Sequence, residues 1–275
     1  MTAGPQSTLL SGDRLHLHHG PIDLVIGVDG PERAQCFAAA IARFQTVLSE
    51  LITELPDLRR PLQPDMQFRT PIARRMARAV GAHEGRAVFV TPMAAVAGAV
   101  ADDVLAAMLQ KHRPEKAYVN NGGDIAFHIS GKAVFDVVGP AGRISVGSDD
   151  PVRGIATSGW RGRSHSLGIA DAATVLARHA AGADVAATLI ANSVDLPDHP
   201  GITRCPANTL NPDSDLGHRL VTTHVAPLDL NSVHRALDAG QRVAEQMIER
   251  GLAESAVLSC QGRTRTPNAP AYVRE

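Results

Sequence analysis

This sequence of 275 residues has few aromatic residues, no paired cysteine motif and almost no net charge. Aromatic side chains make up 3% of the chain, so stacking on an aromatic platform is not expected to be the main way of binding a flat ligand. The three cysteines, Cys36, Cys205 and Cys260, form no C-x-x-C motif, which argues against a zinc knuckle or a disulfide framework and fits a reducing compartment. The net charge of −1 gives no sign of a nucleic-acid or anionic-membrane surface.

Long uncharged apolar runs are also missing. No run approaches the roughly 18 apolar residues of a membrane span, and residues 1–11 lack the basic and apolar regions of a signal peptide. We therefore expect a cytoplasmic protein that acts on a small molecule, with neither nucleic acid nor a membrane as partner. Strands with apolar faces are compatible with a homodimer, and the sequence does not decide the oligomeric state.

The spacing of apolar residues predicts the fold class. Three- and four-residue spacing predicts helices over about 31–55, 72–80, 93–112, 180–192 and 231–250. Short apolar runs predict strands over 14–28, 87–90, 116–120, 124–129, 132–138, 143–146, 153–157, 172–178, 219–225 and 253–260, and a loop is expected over 195–217. The short glycine-containing turns favour antiparallel pairing. The prediction is an α+β fold of antiparallel sheets with helices packed on one face, with a flexible segment over 1–12, a single domain over 13–265 and a C-terminal tail over 266–275.

A glycine corner lies between two of these strands. Asn121, Gly122, Gly123 and Asp124 combine two residues without a Cβ with two polar side chains. Such a corner lets backbone N–H groups approach an anionic ligand. A plain hairpin turn is the alternative, since Asn-Gly between apolar runs is a strong hairpin signal.

A second polar segment follows the strand over 153–157. Thr157, Ser158 and Gly159 precede Arg161, Arg163 and His165, so hydroxyl groups, two guanidinium groups and an imidazole follow each other closely. This set could hold a phosphorylated or carboxylated ligand, with His165 available for proton transfer near neutral pH. A polar surface loop is the alternative interpretation.

Asp184 and Thr188 lie four residues apart in a helix of otherwise small and apolar residues, so both oxygens lie on one face. Burying an unpaired carboxylate is costly, and hard oxygen ligands suit Mg²⁺. The pair is therefore a candidate magnesium site. The alternative is that Asp184 only caps its own helix.

Taken in order, these segments resemble the ApbE superfamily. The matching stretches are Asn-Gly-Gly-Asp-Ile at 121–125, Ala-Thr-Ser-Gly at 156–159, Ser-His at 164–165 and the segment 174–188, and the similarity spans roughly residues 14–262, nearest to the UPF0280 branch. The best-known members of the superfamily are Mg²⁺-dependent FAD:protein FMN transferases with a T-fold-like architecture. The resemblance implies that Asp184 and Thr188 bind Mg²⁺, that the glycine corner and Thr157-Ser158 line a site for FAD, and that His165 acts in catalysis.

Two departures from the transferase pattern keep other functions open. Ala97-Gly98 stands where the transferases carry Lys-Gly, and the Asp-Pro segment that follows their Ser-His is replaced by residues 166–171. One alternative is a hydrolase or lyase acting on a small cyclic carboxylate, with His165 as base and Arg161 or Arg163 binding the carboxylate. Another is a non-catalytic protein that binds a flavin or another metabolite.

Overall fold

The main element of the fold is a nine-stranded sheet whose neighbouring strands are all antiparallel. The structure is a computed structural model that describes residues 4–83, 89–140, 142–267 and 272–274. Within these residues the sheet contains β1 (Gln6–Leu10), β2 (Arg14–His19), β3 (Ile22–Asp29), β4 (Lys116–Asn121), β5 (Asp124–Ile129), β8 (Gly154–Ser158), β9 (Ala172–Ala177), β12 (Ser255–Cys260) and β13 (Arg263–Arg265). The strands follow each other across the sheet in this same order.

In the part of the chain that the structure describes, two smaller sheets accompany the large one. The first, called the small sheet below, has the order β14-β7-β6 and consists of β6 (Val134–Gly139), β7 (Gly142–Gly147) and β14 (Val273–Arg274). The second is a pair formed by β10 (Ile202–Pro206) and β11 (Leu220–Val225).

The described helices are α1 (Arg33–Leu58), α2 (Pro71–Gly81), α3 (Val96–Leu109), α4 (Ala180–Ser193), α5 (Ala207–Leu210) and α6 (Leu230–Glu249), and a 3-10 turn at Pro92–Ala95 precedes α3. Two of the helices, α2 and α6, begin at N-cap side chains that accept a hydrogen bond from the first turn. Thr70 accepts a hydrogen bond from the N–H of Ala73 in α2, and Asp229 accepts one from the N–H of Ser232 in α6. Both are typical N-caps.

Helices cover one face of the large sheet and the small sheet covers part of the other. In β5 the side chains alternate: Ala126 joins the core shared with the helices, whereas Phe127 joins the core shared with the small sheet. The rings of Phe127 and Phe135 are stacked with centroids 4.2 Å apart. This arrangement confirms the predicted α+β class with antiparallel sheets and helices on one face.

Both chain ends form more structure than their sequences predict. Residues 6–10, expected to be flexible, form β1 because their backbone pairs with β2 along its length. In the expected tail, Val273 pairs with Ile144 of β7 and Tyr272 packs into the core of the small sheet. The sheets therefore extend beyond the predicted limits of 13–265.

Two internal predictions also differ from the structure. The loop expected over 195–217 contains β10 and α5, because β10 finds its pairing partner in β11. Of the strand expected over 87–90, residues 87 and 88 lie outside the described residues, and Phe89 and Val90 belong to no strand.

Two segments, α1 and Pro92–Leu109, are long and apolar enough to cross a membrane by length and composition alone. In the structure both contribute to the core beneath the large sheet, for example through Phe44 and Val104. Core helices of a folded domain have the same composition, so this observation is only weak support for a membrane span.

Candidate functional site

A cavity of about 1140 Å³ opens beside the glycine corner. One wall is apolar and comes from α1, through Leu48, Leu51, Ile52 and Leu55. The small sheet and its hairpin supply further apolar lining, through Val137, Val138, Pro140 and Ile144. Of the described residues that line the cavity, none is aromatic. A flat ligand would therefore pack between aliphatic side chains.

The structure brings nearly all the predicted site residues to this cavity. The lining includes Asn121, Gly122, Gly123, Asp124, Thr157, Ser158, Gly159, Arg161, Arg163, Asp184 and Thr188. His165 is exposed and is not part of the described lining. Ser164 is the last residue of this segment in the described lining, and beyond it Ser166 and the N–H of Leu167 both donate hydrogen bonds to Asn192 Oδ1, at 3.0 Å and 2.9 Å.

The glycine corner is the two-residue hairpin loop that its sequence predicts. Gly122 and Gly123 have φ angles of +65° and +114°, which favour glycine, and Asn121 pairs with Asp124 across the turn. The Asn121 side chain is buried and donates a hydrogen bond of 3.1 Å to the carbonyl of Ala97. Asn121 therefore joins the end of β4 to the start of α3, beneath the cavity.

Asp184 faces the cavity from α4 and accepts a hydrogen bond of 3.0 Å from the N–H of Gly98 in α3. It does not cap its own helix, since Asp102 accepts the hydrogen bonds of Ala180 N–H and Ala181 N–H. The alternative in which Asp184 caps α4 is therefore wrong. Gly98 allows α3 and α4 to come this close, because a Cβ at this position would overlap the carbonyl of Ala180.

Asp124 and Asp184 form a pair of neighbouring acids at the base of the cavity. Burial raises the pKa of Asp124 to about 7, and the N–H of Thr157, 3.2 Å away, offsets part of this rise. Burial also raises the pKa of Asp184 well above its ordinary value, and the charge of Asp124 raises it further, while the N–H groups of Gly98 and Ala97 lower it. Neither carboxylate forms an ion pair with a basic side chain of the described residues. A bound cation would relieve the repulsion between them.

The side chains at this base fit Mg²⁺ better than a transition metal. Across the residues that the structure describes, no group of three or more His, Cys, Asp or Glu side chains could hold a metal ion. Mg²⁺ needs fewer protein ligands, because it keeps waters and shares oxygens with a substrate phosphate. Asp184 and the Thr188 hydroxyl, one helical turn apart on the cavity side of α4, are the groups that would hold it.

Hydroxyl groups cover the floor of the cavity next to the acids. Thr157 Oγ1 lies 2.8 Å from Thr174 Oγ1 on the neighbouring strand. Gly159 follows the last residue of β8 and lies close to the backbone of Asp171, because a Cβ at Gly159 would lie 2.5 Å from the Asp171 carbonyl oxygen. The sequence did not indicate Thr174 as a site residue, although Thr174 stands opposite Thr157 in the β8–β9 register.

Sequence reasoning also missed the apolar walls and one cation. Ile52 is 58% exposed and Val138 is 80% exposed, so both leave apolar surface at the cavity. Arg59 follows the last residue of α1 and also lines the cavity. The available signal was the apolar stripe of α1, which includes Ile52 in addition to the buried positions that face the core.

Comparison with known proteins gives a family match over most of the chain. A family model described as "AbpE bacteria" matches residues 6–266. A UPF0280 protein of Methanothrix thermoacetophila is 34% identical over 172 residues, which cover 59% of this chain and 70% of the relative. A UPF0280 protein of Methanosarcina acetivorans is 33% identical over 184 residues, which cover 63% and 69%.

Two solved structures are similar at low identity. A mutant of the flavin transferase ApbE from Vibrio cholerae has 12% identity and a TM-score of 0.48, with coverage of 96% of this chain and 97% of that one. The apo flavinyl transferase ApbE of Pseudomonas stutzeri has 11% identity and a TM-score of 0.49, with coverage of 96% and 94%. Both TM-scores are below 0.5, so neither likeness supports a functional argument.

Proposed function

The chain belongs to the ApbE superfamily, in its UPF0280 branch, and from this membership and the cavity we propose that it is a Mg²⁺-dependent flavin-nucleotide transferase. The observation that carries the proposal is the acidic pair Asp124 and Asp184 at the base of a large cavity with aliphatic walls. The walls suit the flat, largely apolar ring system of a flavin. The acidic base suits a pyrophosphate only when a cation stands between the two.

The proposed reaction transfers FMN from FAD to a hydroxyl group of an acceptor. The acceptor oxygen forms a bond to the FMN phosphorus, the bond between that phosphorus and the bridging pyrophosphate oxygen breaks, and AMP leaves. Mg²⁺, when bound, would neutralise negative charge on the pyrophosphate. Asp184 and Thr188 are proposed to hold the ion, and Asn121, the glycine corner and Thr157-Ser158-Gly159 to orient the nucleotide. His165 is the proposed acceptor of the hydroxyl proton, and it would act from its exposed loop.

Binding and transfer are tested separately. Titration calorimetry of FAD into the protein, in MgCl₂ and in EDTA, should give binding that depends on Mg²⁺. Asp184→Asn should abolish this dependence, because the amide carries no charge to hold the ion. Asp57→Asn, which removes an exposed carboxylate on α1, is the matched control and should behave as wild type.

Transfer is then followed by release of AMP from FAD in the presence of a protein that offers serine and threonine hydroxyls. Release of AMP, together with an acceptor protein that carries covalently attached flavin fluorescence, supports the proposed transferase activity. Binding of FAD with no release under any condition would favour a non-catalytic flavin-binding protein. Absence of FAD binding with and without Mg²⁺ would refute the proposal. The hydrolase or lyase alternative lacks comparable support, because Arg161, one of its two carboxylate-binding candidates, is already paired with Asp171.

A further inference from the structure

Two arginines of one loop reach the cavity, and they differ in their partners. Arg161 Nε lies 2.8 Å from Asp171 Oδ1, and its guanidinium lies 4.8 Å from the centre of the Trp160 ring. Arg163 also lines the cavity but, within the described part of the chain, forms no ion pair with Asp or Glu. Arg161 therefore anchors the loop, whereas the donors of Arg163 are not committed to an acidic side chain.

The loop backbone holds Arg163 over the glycine corner. A turn closes between the N–H of Gly162 and the carbonyl of Gly159 at 3.0 Å, directly before Arg163. A Cβ added at Gly122 would lie only 3.2 Å from Nη1 of Arg163. The guanidinium thus lies against the backbone of Gly122, two residues before Asp124, and all three residues line the cavity.

Charge decides what this guanidinium can bind. The base of the cavity carries Asp124 and Asp184, which offer no positive charge, so an anionic ligand is favoured where a cationic side chain lies beside it. A guanidinium offers several donors in a planar fork that matches a phosphate, and it stays charged at all working pH values. Arg163 is placed to supply this positive charge from the side of the glycine corner.

We propose that Arg163 is the specificity-determining residue that selects phosphorylated flavins over riboflavin by binding the ligand phosphate above the glycine corner. This inference rests on the proposed function, since it takes the ligand to be a flavin. Arg161 makes at most a minor contribution, because Asp171 and Trp160 already hold its side chain.

The test compares the affinities of FMN and riboflavin, measured by flavin fluorescence in MgCl₂, for wild type and four variants. Arg163→Gln should weaken FMN binding about 10- to 100-fold, the range expected for a lost charge-assisted hydrogen bond, and leave riboflavin binding unchanged. Arg163→Lys should keep part of the preference, because it retains the charge without the fork. Arg161→Gln, which removes the anchor of the loop but keeps the Arg163 guanidinium, should weaken FMN binding less than Arg163→Gln does. Arg143→Gln, on an exposed side chain of β7 paired with Asp136, is the surface control and should have no effect.

A melting temperature equal to that of wild type establishes that each variant is folded. An unchanged FMN-to-riboflavin ratio in Arg163→Gln would overturn the inference while leaving the proposed function standing. A larger loss in Arg161→Gln than in Arg163→Gln would also overturn it, since the selection would then not reside in Arg163. If wild type binds none of FMN, riboflavin and FAD, both the proposed function and this inference are refuted.

Discussion

Replacing Asp124 by asparagine should remove a pH-dependent loss of stability from the ligand-free protein. Burial raises the pKa of Asp124 from 3.8 to about 7. The folded state therefore holds this proton more tightly than the unfolded state does. As a result, the free energy of unfolding falls as the pH rises from about 4 to about 7, and it levels off above the folded pKa.

The size of the effect follows from the shift in the pKa. A rise from 3.8 to about 7 is about three pKa units, and at 1.36 kcal/mol per unit it corresponds to about 4 kcal/mol of lost stability above pH 7. The pKa of Asp184 is also raised, partly by Asp124, so the two acids change stability in the same direction. Asparagine keeps an oxygen that can accept the hydrogen bond of Thr157 N–H, and it removes the charge.

Urea unfolding, followed by circular dichroism at pH 5, 6, 7 and 8 in EDTA, measures this dependence. Wild type should lose free energy of unfolding across the series, and Asp124→Asn should lose less, since only Asp184 still titrates there, and be the more stable protein at pH 8. Asp57→Asn, on the exposed surface of α1, should follow wild type. If Asp124→Asn and wild type lose equal free energy between pH 5 and pH 8, the pKa of Asp124 is not raised and the argument is refuted.

The parts of the site that the sequence predicted are those that depend on close neighbours in the chain. Gly122-Gly123 requires only that two adjacent residues adopt positive φ angles, and a two-residue loop between apolar runs favours this. Asp184 and Thr188 share a face because a helix has 3.6 residues per turn. Both features line the cavity as expected.

The parts that the sequence did not predict depend on contacts between distant segments. Periodicity shows that α1 has an apolar face, but it does not show that Ile52 lines the same cavity as Val138 of the small sheet. It also does not show that Asp102 of α3, rather than a residue of α4, accepts the first N–H groups of α4. His165 illustrates another limit: its neighbours in sequence suggested a site, and in the structure it is exposed and follows Ser164, the last residue of this segment in the described lining.

Two further predictions test how α3 and α4 hold the base of the cavity. Gly98→Ala should lower stability by about 1–3 kcal/mol or more, because the new Cβ overlaps the carbonyl of Ala180. Gly182→Ala is its control, since a Cβ there meets nothing within 4 Å, and it should be neutral or stabilising; equal melting temperatures for these two variants would contradict the close helix contact. Asp102→Ala should cost about 0.5–2 kcal/mol in urea unfolding, because the N–H groups of Ala180 and Ala181 lose their acceptor in a buried place that water reaches poorly. An unchanged or higher stability would contradict this prediction, because the gain from no longer burying the Asp102 carboxylate, whose pKa burial raises, would then equal or exceed the cost of the lost cap.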